Sequence, residues 1–237
     1  MGHKKAGSDR LVVVVTGDVV HSTELPANVR SQLPEILRSR FRDAVEGIPS
    51  AMVDGLALVS GDGWQVLFHE PGHALAYTLG FVARLRSEAI ETRAALALGT
   101  IDRLAEDLNA SDGPAFRQSG RGLRTMRGDQ RLNMLAPAEG QPAAGIATAA
   151  LAELADHLLQ AWTPAQAQAV AGMLDGWDDQ TVHTQAEVGA AWTPEPVTRQ
   201  TVNRHLQRAA FDRVERTLQR YAALVQSLSS SNSNPSP

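Results

Sequence analysis

Leu56-Ala57-Leu58-Val59-Ser60-Gly61-Asp62-Gly63-Trp64-Gln65-Val66-Leu67-Phe68 is an apolar run, a Gly-Asp-Gly turn and an alternating run. Two extended segments joined by a short glycine-containing loop predict a β-hairpin. The turn places one carboxylate, Asp62, at the tip of a rigid sheet. The first apolar run, Leu11-Val12-Val13-Val14-Val15-Thr16-Gly17-Asp18, ends in the same way, on a glycine and an aspartate. It is apolar at successive positions, as in a sheet centre covered on both faces. If the two strands are neighbours, Asp18 and Asp62 meet at one edge, where a pair of acidic groups can hold Mg²⁺ and with it a nucleotide. A solvated strand-end carboxylate is the plainer reading of either residue alone.

Around these strands the spacing predicts helices. Val29, Leu33, Ile36, Leu37, Phe41 and Val45 form one stripe of a helix over 28–46. Pro71 sits near the start of a second, over 72–89. Arg93 to Thr100 reads as a further strand. Strand, helix, hairpin, helix, strand is the order of a ferredoxin-like α+β sheet with helices on one face. Phe116 to Met126 reads as a helix carrying Arg117, Arg121 and Arg124, with Arg127 just beyond, and Leu132 to Ala136 as a short strand. A solvated helix face explains such an arginine series as well as phosphate binding does.

The chain of 237 residues is long enough for one large or two small cores. Its net charge of −4 argues against whole-protein attraction to nucleic acid, while leaving local basic patches open. With no cysteine, disulfides, thiolate metal sites and cysteine nucleophiles are excluded. Met1 to Arg10 is polar and basic and does not read as a signal peptide, and no apolar run approaches a membrane span. A cytoplasmic protein is expected. His69 and His73 have metal-pair spacing, but Pro71 lies between them and breaks the helix such a pair needs.

Thr16-Gly17-Asp18-Val19-Val20-His21-Ser22-Thr23-Glu24-Leu25 resembles the first metal-binding segment of class III nucleotide cyclases, and Gly61 to Phe68 resembles their second. Arg93 to Thr100 is similar to the strand after their second long helix. Gly113-Pro114-Ala115-Phe116-Arg117-Gln118-Ser119-Gly120-Arg121 is similar to their Gly-Pro-x-Val-Asn-x-x-x-Arg segment. The bacterial SatD proteins share this palm-like arrangement, and the spacing resembles theirs too. The resemblance covers about residues 11–135. It implies that Asp18 and Asp62 bind divalent metal, Mg²⁺ in the family. It also implies nucleotide contacts from Val19, Val20, Gly61, Arg117 and Arg121, with Arg121 at the position of a transition-state arginine. Two positions depart from the pattern: the ribose-orienting asparagine is Arg117, and the purine-reading lysine falls at Leu58. Those departures weigh against turnover and leave a nucleotide sensor or a vestigial site.

Beyond Pro137–Gly145 the composition turns helical and Ala/Leu-rich. Ala149 to Gln160 reads as one helix. Thr163-Pro164 opens a helix to Leu174, and Thr184-Gln185-Ala186-Glu187 has capping-box spacing for a short helix to Trp192. After the turn Thr193-Pro194-Glu195-Pro196, Thr198 caps a helix over 199–209, followed by one over 211–226. This order predicts a helix-turn-helix, with Val188 and Trp192 packing the first helix and Val202 and Leu206 the second. Arg199, Gln200, Asn203, Arg204 and Gln207 would face a major groove. Arg208, Arg213 and Arg216 would reach phosphates. The stretches Thr184–Ala191 and Arg199–Leu206 resemble the DNA-binding region of sigma-type factors and winged regulators. A plain helical bundle is the alternative.

The expected organisation is a flexible tail (1–10), a cyclase-like palm (11–140), a helix-turn-helix unit (146–226) and a disordered Ser/Asn/Pro tail (227–237). The function read from it is a DNA-binding transcriptional regulator whose palm binds a nucleotide or cyclic nucleotide, or mediates dimerisation. A homodimer on double-stranded DNA is expected, with no membrane partner. One alternative is a Mg²⁺-dependent cyclase or polymerase making a cyclic nucleotide. The other is an inert protein-interaction module.

Overall fold

A computed structural model describes residues 10–59, 61–137, 142–175, 177 and 183–232. The palm runs β1 (Val12–Val19), α1 (Ala27–Ala44), β2 (Ala57–Val59), β3 (Gly63–Phe68), α2 (Ala74–Ser87), β4 (Thr92–Gly99), α3 (Pro114–Thr125) and β5 (Leu132–Leu135). Five further helices follow: α4 (Pro142–Ala161), α5 (Pro164–Leu174), α6 (Gln185–Ala190), α7 (Arg199–Arg208) and α8 (Phe211–Asn232). The sheet order is β2-β3-β1-β4-β5. Its first four strands pair antiparallel in the ferredoxin-like order, and β5 is added parallel to β4. The fold is therefore α+β, and the hairpin at 56–68 forms as its sequence predicts.

Helices cover both faces of the sheet, where one was expected. Val13, Val15 and Val19 share a core with Trp64, Val66 and Phe68 beneath α1 and α2. Val12, Val14 and Leu67 face the other way, against Ala115 and Phe116 of α3. Val12 to Val15 are each no more than 3% exposed, which explains a strand without alternation. Gly17 is required by a close approach: a Cβ there would lie 2.2 Å from Cζ2 of Trp64 and 2.6 Å from the Arg93 carbonyl oxygen.

The C-terminal helices join the palm core without a break. α2 is buried along most of its length between the sheet and α5. One apolar cluster runs from the palm through Leu159, Trp162, Val170, Leu174 and Val202 to Tyr221. Arg86 on α2 donates to the carbonyls of Trp162 (2.7 Å) and Gln160 (3.1 Å) at the end of α4. The Trp162 indole N–H donates to the Ala209 carbonyl at 3.0 Å.

Two boundaries differ from the sequence expectation. α4 starts at Pro142 rather than Ala149, because proline suits a first helical turn and Ala144 and Thr148 already pack inward. α8 continues through 227–232, a stretch expected to be disordered, because Leu228 extends its buried stripe. The rest of that tail, and residues 1–9 of the other, lie outside the described residues. Among the described residues no helix is long and apolar enough to cross a membrane.

Gly17→Ala forces a methyl into the Trp64 ring and backbone. It should lower stability by about 1–3 kcal/mol, as overpacking does. In urea unfolding the midpoint should fall with the slope unchanged.

Candidate functional site

The palm edge is built by strand register. Asp18 lies opposite Gly63 on β3 and opposite Arg93 on β4. The sheet thus brings Asp18 beside the turn that carries Asp62, as the sequence predicts. The Val19 N–H donates to the Asp62 carbonyl at 3.2 Å, closing the turn onto β1.

The side chains at this edge are committed to one another. Arg93 forks onto Asp18, Nε to Oδ1 and Nη2 to Oδ2, both at 2.7 Å. The bond to Asp18, against the opposing pull of burial, raises the Arg93 guanidinium above its ordinary pKa. The Ser22 hydroxyl donates to Asp62 Oδ2. On the opposite face the Thr92 hydroxyl donates to the Asp18 carbonyl at 2.6 Å and accepts from the Trp64 indole at 3.2 Å. Thr92-Arg93 therefore holds both the carbonyl and the carboxylate of Asp18. Sequence reasoning read Arg93 only as the start of a strand and missed this role.

The nucleotide contacts implied by resemblance fare unevenly. The N–H of Val20 is taken by the Glu91 carbonyl (2.8 Å) as that of Val19 is by Asp62, so neither is left for a phosphate. Arg117 pairs with Asp112 (2.8 Å) and Asp102 (3.1 Å). Gly61 sits exposed in the turn at φ +77°, in the left-handed region that favours glycine. Arg121 is exposed on α3. His69, read as no metal ligand, pairs with Asp54 at 3.1 Å.

Mg²⁺ needs carboxylate oxygens free to face it. Both oxygens of Asp18 already accept from Arg93, and Asp62 accepts from Ser22. Among the described residues no three acidic or imidazole groups gather as a metal site. In this arrangement the donor set does not fit the two-metal centre of the resemblance.

The second candidate surface is α7. Thr184 and Glu187 form the expected capping box at the start of α6, and Thr198 caps α7 through the Thr201 N–H. Val188, Val202 and Leu206 are buried, as their spacing predicts. Gly189 lets the following turn close over α6: the Val197 N–H donates to its carbonyl at 2.9 Å, and a Cβ on Gly189 would lie 2.5 Å from the Val197 oxygen. Arg199, Gln200, Arg204, Gln207 and Arg208 are exposed. Asn203 is instead half-buried and accepts from Gln185 Nε2 at 3.5 Å, so it ties α6 to α7. Trp192 stacks on His205, ring centroids 5.5 Å apart and planes 24° from parallel. Along α8, Arg213, Arg216 and Arg220 line a hollow of about 310 Å³ beside Leu154.

No protein-family model and no curated protein matches the chain. Solved nucleotide cyclases overlap it in part. The guanylate cyclase domain of RhGC from Catenaria anguillulae, in complex with GTP, is 16% identical with a TM-score of 0.43, over 55% of this chain and 80% of that one. A bacterial light-regulated adenylyl cyclase is 15% identical with a TM-score of 0.40, over 53% of this chain, which spans 43% of that protein's length. The guanylyl cyclase Cya2 is 15% identical with a TM-score of 0.38, over 54% and 74%. Overlap of this extent leaves function to the side chains.

Burial, then the charges of Arg204 and Arg208, lowers the His205 pKa from its ordinary 6.5. The unfolded chain therefore takes up this proton more readily than the folded one. The stabilisation is present above 6.5 and is lost as pH falls through the folded value. NMR titration should place the His205 midpoint below that of a histidine in the unfolded chain. His205→Gln should flatten this part of the acid stability profile.

Proposed function

We propose that the protein binds duplex DNA through α7 and acts as a transcriptional regulator, with the palm as its nucleotide-responsive or dimerising body. The observation that carries this reading is the division of α7. Val202 and Leu206 are buried against the preceding helices, while Arg199, Gln200, Arg204, Gln207 and Arg208 are exposed. Arginine and glutamine are the side chains that read guanine and adenine edges in a major groove. Arg213 and Arg220 along α8 add groups suited to backbone phosphates, whereas Arg216 beside them is paired with Asp212 at 2.7 Å. Two chains would suit a palindromic operator.

Fluorescence anisotropy on duplexes selected from a random pool tests it. Affinity should fall linearly with salt on a log–log plot, as phosphate neutralisation requires. Arg204→Ala or Gln200→Ala should weaken selected duplexes by about 1–3 kcal/mol and relax sequence preference. Failure to retain any duplex at about 50 mM salt, where electrostatic binding is strong, removes the reading.

A second reading, nucleotide binding at the palm edge, is favoured by the register that sets Asp18 beside the Asp62 turn. Its enzymatic form is cyclic-nucleotide production and requires Arg93 to leave Asp18. Pyrophosphate release from ATP or GTP that Asp62→Ala abolishes would establish it.

A further inference from the structure

We propose that Arg93 is the resident cation of the palm edge: its guanidinium takes the place at Asp18 that a divalent metal would hold, so this edge binds no metal ion. The sheet itself delivers the charge, since Arg93 is the cross-strand partner of Asp18. The fork is bidentate, both bonds are 2.7 Å, and the side chains are only 34% and 27% exposed. Charge-assisted bonds of this geometry are among the strongest a carboxylate makes.

The main chain at Asp18 is fixed as well. Its carbonyl is fixed by Thr92, which is held in turn by the buried Trp64 indole. Gly17, one residue earlier, lies under the same indole ring. For Asp18 to ligate a metal, it must either give up a guanidinium bond or hold the ion with Arg93 still beside it. The guanidinium would then remain beside a doubly charged ion, and like charges at that range repel. Asp62 adds little, because Ser22 engages one of its oxygens. A nucleotide held at this edge would meet a guanidinium rather than a metal. The inference is independent of DNA binding at α7, and its test does not read DNA.

Removing Arg93 exposes the exchange. Arg93→Gln leaves the half-buried Asp18 carboxylate without its counter-charge, and a metal ion can restore it. Titration of the full chain with Mn²⁺, followed by the electron paramagnetic resonance signal of the free ion, tests this directly. Wild-type protein and Arg93→Lys, which keeps a cation, should leave the free-ion signal unchanged. Arg93→Gln should remove Mn²⁺ saturably, about one ion per chain, and its thermal midpoint should rise with the metal. Adding Asp18→Asn to Arg93→Gln should abolish the uptake. Arg93→Met, which keeps the packing of the stem, replaces Arg93→Gln if circular dichroism shows the latter unfolded. Mn²⁺ uptake by wild-type protein that Asp18→Asn removes would overturn the proposal. So would a folded Arg93→Gln or Arg93→Met protein that takes up none.

Discussion

The structure depends on burying β1 from both sides. A strand covered on two faces and paired on two edges can carry polar side chains only at its ends. Along the α3 face this produces a gradient: Val12 and Val14 are buried apolar residues, Thr16 is polar but bonded, and Asp18 is charged. Thr16 accepts from Gln65 of β3 at 3.0 Å and shares a 2.8 Å bond with Ser119 of α3. Those bonds mark where the apolar layer under α3 gives way to the polar edge. The charged end of β1 is thus a consequence of how far α3 covers it, and Arg93 supplies the counter-charge that a half-buried carboxylate needs.

The same reasoning explains why the C-terminal helices are not loosely attached. α2 faces the sheet with one side and α5 with another, so its residues from Ala74 to Ala83 are all buried. Such a helix cannot remain exposed if α5 leaves. Arginines at its C-terminal end then pair outward. Arg84 forms an ion pair with Asp175, whose pKa is raised by burial despite that partner. Arg86 satisfies carbonyls at the end of α4, which a helix otherwise leaves open. The α6–α7 pair therefore stands on a base continuous with the palm core.

What the sequence made legible was local. The hairpin, the stripe of α1, the N-cap at Thr163 and the capping box at Thr184 are written in neighbouring residues, and each formed near its expected bounds. What it hid was register. Asp18 and Arg93 are 75 residues apart, and only the pairing of β1 with β4 shows that one neutralises the other. The resemblance placed the N–H groups of Val19 and Val20 against a phosphate, and the segment around them shows no competitor. The carbonyls that take them come from Asp62 and Glu91, far along the chain. Asn203 misled in the same way, since helical spacing turns it outward while its partner, Gln185, lies on α6. Residues 227–232 misled through composition: serine-rich sequence suggested disorder, but Leu224, Val225 and Leu228 keep helical spacing and pack inward.

The two candidate surfaces differ in kind, and the difference bears on function more than their charge does. A polar group already paired within the fold must break a bond to hold a ligand, and what it gains is only the difference. At the palm edge Asp18, Asp62 and Arg93 are all paired internally. On α7 the exposed arginines and glutamines have no hydrogen-bonded or ionic partner among the described residues, while the apolar side of the same helix is fully packed. A helix with that division keeps its shape when free and its donors open. The nucleic-acid recognition proposed above calls for both properties together: a helix backbone fixed before contact and donors not already spent within the fold.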